Sequence, residues 1–95
     1  MPPAGPLFVW TVWLRIVGIG ITPDTAHDVN ERLHRYNATT RHQDGELTVR
    51  VRIVGYEGPA SAVGDAQQAT LFEAARAGIR SARVEVAHAR RVTAS

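Results

Sequence analysis

The feature that most constrains this chain is its only long apolar run, LFVWTVWLRIVGIGI at positions 7–21. The run is too short to span a bilayer, which takes about 20 apolar residues, and it contains Arg15. β-Branched and aromatic side chains are dense over residues 7–17, which indicates a strand. One set of alternate residues in this strand is wholly apolar and is predicted to face the core: Phe8, Trp10, Val12, Leu14 and Ile16.

A helix is predicted to begin directly after this strand. Thr22 is a suitable N-cap, Pro23 fits the first helical position, and Asp24 lies near the positive end of the helix dipole. One apolar stripe at helical spacing is predicted to pack on the core: Ala26, Val29, Leu33 and Tyr36. Two i,i+4 ion pairs are predicted on the exposed side: Asp28–Arg32 and Glu31–Arg35.

The dipeptide Asp44-Gly45 is the strongest turn signal, because it is typical of a type I′ hairpin with positive φ at both residues. The strand after it, over residues 46–54, alternates clearly between apolar and polar side chains. The segment before it, residues 39–43, is short and polar, which suits an edge strand. The hairpin therefore predicts two strands where alternation alone would predict one.

A second helix is predicted over residues 61–77, after a turn at 55–59. Gly78, directly after it, is predicted to cap the C-terminus of this helix. Its bulky side, with Leu71, Phe72, Ala75 and Ile79, is predicted to pack on the sheet, and its small side, with Ala62, Ala66, Ala69, Ala77 and Glu73, to face away. A last strand is predicted over residues 83–88, with Val84 and Val86 facing inward. Residues 1–6 are predicted to be a disordered lead and residues 90–95 a tail.

The order strand, helix, strand, strand, helix, strand predicts an α+β fold of the ferredoxin-like βαββαβ type. Two helices would cover one face of a four-stranded antiparallel sheet in the order 4-1-3-2, forming a single domain over residues 7–89. The alternative omits the polar edge strand and leaves a three-stranded βαβαβ sheet. No motif in the chain identifies a family.

The open face of this sheet is the most informative surface for function. The residues predicted to bind a partner there are Trp13, Arg15, Arg50, Arg52, Arg83 and Glu85. Trp and Arg are enriched at interface hot spots, so this face is predicted to dock on another protein or on a second copy of the chain. The alternative is a nucleic-acid-binding module that uses Trp13, Arg15, Arg50 and Arg52. RNA-recognition modules use the same central strands, but residues 46–54 lack their aromatic signature.

Catalysis has little support in the sequence, and the chain is predicted not to be an enzyme. It has no cysteine, and its serines have no evident base partner. Gly18 and Gly20 lie between a strand and a helix, but the third glycine of a dinucleotide fingerprint and the lysine of a P-loop are missing. No cofactor is therefore predicted. The sequence leaves open that an anion binds at the N-terminus of the helix capped by Thr22, and the helix dipole is the only support for it.

The composition indicates a small protein of the cytoplasm. All eleven basic residues are arginine and the net charge is only +2. Arginine suits phosphate and carboxylate recognition, but a GC-rich genome explains the absence of lysine equally well. Residues 1–6 carry no basic group ahead of the apolar run, which argues against a secretory signal, and the absence of cysteine suits a reducing compartment.

The sequence further predicts that no structural metal is bound. His27, Glu31 and His34 share one helical stripe, but the stripe lies on the solvated side of the helix among charged pairs. A chelator is therefore expected to leave the thermal midpoint of unfolding unchanged in a calorimetric scan. A midpoint several degrees lower would mean that these side chains hold an ion that contributes to folding.

Overall fold

The computed structural model describes residues 8–55 and 59–92 of the 95-residue chain. The elements follow one another as β1 (Phe8–Ile19), α1 (Pro23–Leu33), a 3-10 turn (His34–Tyr36), β2 (Ala38–Gln43), β3 (Glu46–Gly55), α2 (Pro59–Arg76) and β4 (Arg80–Arg91). The strands form one antiparallel sheet in the order β2-β3-β1-β4. Read from the other edge, this is the predicted order 4-1-3-2, so the α+β prediction is confirmed. The predicted lead at residues 1–6 and most of the turn, at 56–58, lie outside the described residues.

The inward side of β1 forms the centre of the core, as its alternation predicts. Val12, Leu14 and Ile16 are at most 1% exposed, while Phe8 and Trp10 are partly buried toward the end of the strand. The antiparallel register sets Val51, Val49 and Leu47 of β3 opposite the three buried residues. Each of these six side chains removes apolar surface from water, at roughly 25 cal/mol per Å². The pairing of β1 with β3 therefore carries much of the stabilisation.

The start of α1 is fixed by a capping box centred on Thr22. The Thr22 Oγ1 accepts from the backbone N–H of Thr25 at 3.1 Å, and the Thr25 Oγ1 accepts from the N–H of Thr22 at 2.8 Å. The predicted stripe is confirmed for three residues, since Ala26, Val29 and Leu33 are buried.

The end of α1 differs from the prediction in one ion pair. Asp28 and Arg32 pair at 3.2 Å as predicted. The pair Glu31–Arg35 is wrong, because the α-helix ends at Leu33 and the backbone tightens into the 3-10 turn before Arg35. The Arg35 guanidinium contacts the nearly buried Glu73 of α2 instead, at 3.2 Å. This contact links α2 to the turn that follows α1.

The hairpin between β2 and β3 turns at Asp44 and Gly45, whose φ angles are +54° and +76°. Gln43 lies opposite Glu46 across this turn, and pairing extends to Ala38 opposite Val51. The prediction of a type I′ hairpin with positive φ at both residues is confirmed. The polar segment before the turn is therefore a true edge strand, and the three-stranded alternative is excluded.

The predicted orientation of α2 is wrong. Ala62, Ala66 and Ala74 are fully buried, whereas Leu71 is 41% and Phe72 is 55% exposed. The inward faces of β1 and β3 already fill the core with leucine and β-branched side chains, so the small residues are those that let α2 approach the sheet closely. The bulky residues consequently lie on the outer side of the helix. Ile79, which follows the helix, is the exception and is buried.

The helix α2 ends in a Schellman motif at Gly78, whose φ is +100°. The N–H of Ile79 donates to the carbonyl of Ala74 at 3.2 Å, and the N–H of Gly78 donates to that of Ala75 at 3.1 Å. This C-cap is the one that the sequence predicts, with Ile79 folding back as the apolar contact.

The last strand is longer and less regular than predicted. β4 continues through Arg90 and Arg91, which the sequence placed in a tail, and the N–H of Val92 still donates to the carbonyl of Val9 at 2.8 Å. Its register against β1 shifts twice, once between Val17 and Ile19 and once between Trp13 and Leu14. The second shift adds Ala87 as an extra residue, which reverses the alternation beyond it. Val84 is partly buried as predicted, whereas Val86 is 38% exposed.

Gly18 lies opposite the first of these irregularities, where the backbones of β1 and β4 approach closely. A Cβ at this position would lie 2.6 Å from Ile79 Cγ2 and 2.9 Å from the carbonyl oxygen of Arg80. Close packing, rather than phosphate binding, thus accounts for this glycine after the strand.

We expect Gly18→Ala to destabilise the protein by about 1–3 kcal/mol in urea unfolding, because the backbone of β4 has to shift. Gly64→Ala in α2 is the matched control, since nothing lies within 4 Å of a Cβ built there. That control is expected to stabilise by about 0.5–1 kcal/mol through helix propensity. Equal free energies of unfolding for Gly18→Ala and the native chain would contradict the close approach.

Candidate binding face of the sheet

We call the side of the sheet opposite the helices the open face. In the described part of the chain, both helices contribute their buried residues to the core on the other side. The two central strands and the long edge strand supply most side chains of the open face: Thr11, Trp13 and Arg15 of β1, Thr48, Arg50 and Arg52 of β3, and Arg83, Glu85, His88 and Arg90 of β4.

The register brings the predicted residues side by side. Trp13 lies opposite Arg50 on one side and opposite His88 on the other. One pair further, toward the amino end of β1, Thr11 lies between Arg52 and Arg90. In the opposite direction, Arg15 lies between Thr48 and Glu85.

One end of the open face is strongly basic. A depression of about 300 Å³ is lined by Thr11, Trp13, Arg50, Arg52, Arg90, Arg91 and Val92. Three of these arginines, Arg50, Arg52 and Arg90, belong to the open face, and none of the three has a carboxylate within 4.0 Å among the described residues. Arg91 lies opposite Trp10 on the helix side, and its guanidinium lies 4.9 Å from the centroid of the Phe8 ring. Thr11 is only 7% exposed although it lies on this face, because longer side chains surround it. We call this group the basic end.

Trp13 lies at the centre of this arrangement and is half-buried. Its ring centroid lies 5.2 Å from that of His88, with an interplanar angle of 36°. This distance falls in the favourable range for aromatic pairs. The contact fixes the indole against β4 and leaves part of its surface available to a partner.

The other end of the open face carries mixed charge. The Arg15 guanidinium contacts Glu85 at 2.8 Å and Glu46 at 3.5 Å. The hydrogen bond to Glu85, together with the negative charges of Glu85 and Glu46, raises the pKa of Arg15 above its ordinary value. A depression of about 430 Å³ joins these three side chains with Arg83. We call this group the mixed end.

The six predicted partner-binding residues therefore share one face but divide between two ends. Trp13, Arg50 and Arg52 belong to the basic end. Arg15, Arg83 and Glu85 belong to the mixed end.

Sequence reasoning missed two residues of the open face, namely His88, which contacts Trp13, and Arg90 of the basic end. Simple alternation from the inward Val84 predicts that His88 and Arg90 point inward, which would keep both of them off the open face. The bulge at Ala87 changes that phase, so that His88 lies opposite Trp13 and Arg90 opposite Thr11. Bulges leave no reliable mark in a single sequence, although the dipeptide Arg90-Arg91 itself could have drawn attention to this strand end.

The histidine stripe of α1 does not assemble a metal site in the structure. His27 Nε2 lies 3.9 Å from Glu31 Oε1, and His34 begins the 3-10 turn beyond the helix. Across residues 8–55 and 59–92, no group of three or more His, Asp or Glu side chains is placed to hold an ion.

Comparison with protein families, with curated proteins and with solved structures gave no match to this chain. Within the described segments, neither helix combines the length and the apolar character needed to cross a membrane. The geometry of the open face is therefore the evidence from which a function is inferred.

The two tryptophans are expected to respond differently to truncation. Trp10→Ala should cost about 3 kcal/mol of unfolding free energy, because the indole packs against the core. Trp13→Ala should cost about 1 kcal/mol, which is the size of the contact with His88. Urea titration of both variants measures the difference. A larger loss for Trp13→Ala would mean that its face of β1 is needed for folding.

Proposed function

We propose that this protein is a non-catalytic accessory protein that docks through its open face on an acidic surface of a partner protein. The observation that carries the proposal is the basic end, where Trp13 lies beside Arg50, Arg52 and Arg90, three arginines that have no carboxylate partner in the described part of the chain. The side chains offered there are an indole and guanidinium groups, which bind partners rather than react. The compartment that we propose is the cytoplasm, which the absence of cysteine suits.

The chemistry of the basic end favours a carboxylate-bearing partner. Guanidinium groups bind carboxylates through two parallel hydrogen bonds, and such charged bonds are among the strongest in proteins. Arg50 and Arg52 are exposed on alternate positions of β3, so both can reach the same partner surface. The half-buried Trp13 between the strands supplies an aromatic anchor of the kind found in interface hot spots.

The mixed end makes the charge of the open face asymmetric. There Arg15 is already neutralised by Glu85 and Glu46, so an acidic group gains less from binding at this end. A partner with its acidic groups at one side is thus favoured in a single orientation. Electrostatic patterns of this kind contribute to specificity and to the rate of association more than to affinity.

Charge argues against a second copy of the chain on this face. Two open faces packed together would bring Arg50, Arg52 and Arg90 of each copy into one desolvated layer, and the two carboxylates of the mixed end are already engaged. Burying like charges without counter-charges costs several kcal/mol. Within a ferredoxin-like arrangement, which we propose for this βαββαβ layout, the open sheet face is then left for a different molecule.

A single-stranded nucleic acid is the second candidate partner. The observation that favours it is the Trp13–His88 contact beside the basic end, because bases stack on aromatic rings while arginines hold the phosphates. Glu46 and Glu85 on the same face weigh against it, since a long phosphate backbone would pass close to them. We therefore rank the acidic protein surface first.

The test compares a short poly-glutamate peptide with a single-stranded oligothymidine of equal charge, by fluorescence anisotropy at several salt concentrations. Tighter binding of the peptide supports the acidic protein partner, and tighter binding of the oligonucleotide with a linear dependence on log salt supports the second candidate. Binding of neither probe at low salt would contradict the proposal.

Arginine variants locate the binding surface. Arg50→Gln and Arg52→Gln are each expected to weaken peptide binding about tenfold, which corresponds to one charged hydrogen-bond contact. Arg32→Gln removes the same charge from α1 on the other side of the protein and is the matched control. Equal weakening by all three substitutions would mean that only net charge matters.

A further inference from the structure

The two edges of the sheet are protected very differently. β2 has six residues, is polar, and its Thr40 N–H donates to the Asn30 side chain of α1 at 3.3 Å. β4 has twelve residues and is the neighbour of β1 alone in the described sheet. A long strand at an edge presents unpaired N–H and C=O groups that readily pair with another strand.

An apolar surface lies directly beside this edge. A depression of about 490 Å³ is lined by Gln67, Gln68, Leu71, Phe72 and Ala75 of α2 and by Val84 of β4. Phe72 is 55% and Leu71 is 41% exposed, and Val86 of the same strand is 38% exposed. The alanine side of α2 already packs on its own sheet, so α2 carries a second apolar side that is largely exposed in the described chain. On this side the Arg76 guanidinium of the same helix lies 5.4 Å from the centroid of the Phe72 ring. A helix with two apolar sides indicates a second packing surface.

We propose that β4 pairs antiparallel with β4 of a second copy of the chain, about a two-fold axis that passes through Val84. The two four-stranded sheets then form one continuous sheet of eight strands. In this arrangement the α2 helices of the two copies lie side by side on one side of it and bury Leu71 and Phe72 between them.

Charge selects the register of this pairing. A two-fold axis perpendicular to the sheet keeps the helix side of both copies together, so each residue opposes only residues of its own side. With Val84 on the axis, Arg83 of each copy lies opposite Glu85 of the other. Glu85 accepts from Arg15 through Oε1, and its second oxygen, Oε2, can accept from Arg83 of the other copy. Moving the axis to Arg83 would place two arginines opposite each other, and moving it to Glu85 would place two carboxylates opposite each other. Opposite charges on facing residues of two strands stabilise the pairing of the strands, and like charges destabilise it.

The apolar side chains agree with the same register. Val86 lies opposite Ala82 of the second copy on the helix side, next to the Val84 pair. The pairing of β4 with β1 is regular over Arg83, Val84, Glu85 and Val86, between the two register shifts. The pairs nearest the axis thus lie in the straight part of the strand.

Strand and helix spacings also match. Two strands occupy about 10 Å across a sheet, which is the distance between axes of packed helices. α2 packs mainly over β4 and, to a smaller and equal extent, over β1 and β3, so its axis lies inward from the edge of the sheet. The two α2 helices of the dimer would therefore meet at packing distance, with the bulky side of each directed to the other.

The carbonyl of Val84 is compatible with a second strand. It accepts from Gln67 Nε2 at 2.9 Å, which brings α2 to the edge of the sheet. A carbonyl oxygen has two lone pairs and can accept a second hydrogen bond from the N–H of the second copy.

The first test is the mass of the protein in solution by sedimentation equilibrium. We expect a dimer whose Kd rises about tenfold in Phe72→Ala, with the thermal midpoint of the monomer little changed because the ring is exposed. Arg83→Glu should raise the Kd several-fold by opposing two carboxylates, and Arg83→Gln, which removes the attraction without adding repulsion, should raise it less. A monomer at every concentration overturns the proposal, as does a dimer that is lost in Trp13→Ala but kept in Phe72→Ala.

Because the chain has no cysteine, a single introduced thiol reports the register directly. Val84→Cys places two thiols on the axis, with Cα atoms about 5 Å apart, which is within the range for a disulfide. Val86→Cys is the matched control, because its two Cα atoms would lie about 14 Å apart. Mild oxidation is expected to cross-link the first variant and not the second. Cross-linking of the second variant as fast as the first, or of neither, overturns the register.

These outcomes are independent of the proposed function. A dimer that fails to bind either anionic probe would contradict the role of the open face and leave the edge pairing supported. A monomer that binds the poly-glutamate peptide would support the open face and overturn the pairing. In the dimer the two open faces lie in one continuous sheet, so an acidic partner with two sites would bind with increased avidity.

Discussion

The structure depends on β1, which lies between β3 and β4 and whose side chains alternate between the core and the open face. Its inward residues Val12, Leu14 and Ile16 are almost completely buried and lie opposite the buried residues of β3. Its outward residues Trp13 and Arg15 organise the two ends of the open face. Since side chains alternate strictly along a strand, a shift of one residue would exchange the side chains of the core with those of the open face. The core and the open face thus take their side chains from alternate positions of the same strand.

The second feature that determines the structure is the side of α2 that packs on the sheet. Alanines at Ala62, Ala66 and Ala74 let the helix approach a layer already filled by larger residues, and Glu73 on the same side is neutralised by Arg35. The consequence is that Leu71 and Phe72 remain on the outer surface. Within the described residues this apolar surface is exposed, and the pairing of two β4 edges would explain it.

Much of the fold could be predicted because its signals are local. The capping residues Thr22 and Pro23, the turn Asp44-Gly45 and the alternation of β1 each act over a few residues, and the structure confirms all of them. The orientation of α2 could not be predicted, since hydrophobicity favours the bulky side and only the space left by the other strands decides against it. The basic end was predicted in part, because the bulge at Ala87 depends on pairing with β1 and determines where His88 and Arg90 lie.

The central claim is that Trp13 lies beside arginines that pair with no carboxylate among residues 8–55 and 59–92. The chain has two tryptophans, so a Trp10→Phe variant leaves Trp13 as the sole indole emitter. The most direct measurement is the quenching of its fluorescence by anionic iodide and by cationic caesium at equal ionic strength. The account predicts markedly stronger quenching by iodide, because the basic end concentrates anions near the indole. Equal quenching by the two ions, or stronger quenching by caesium, would contradict it.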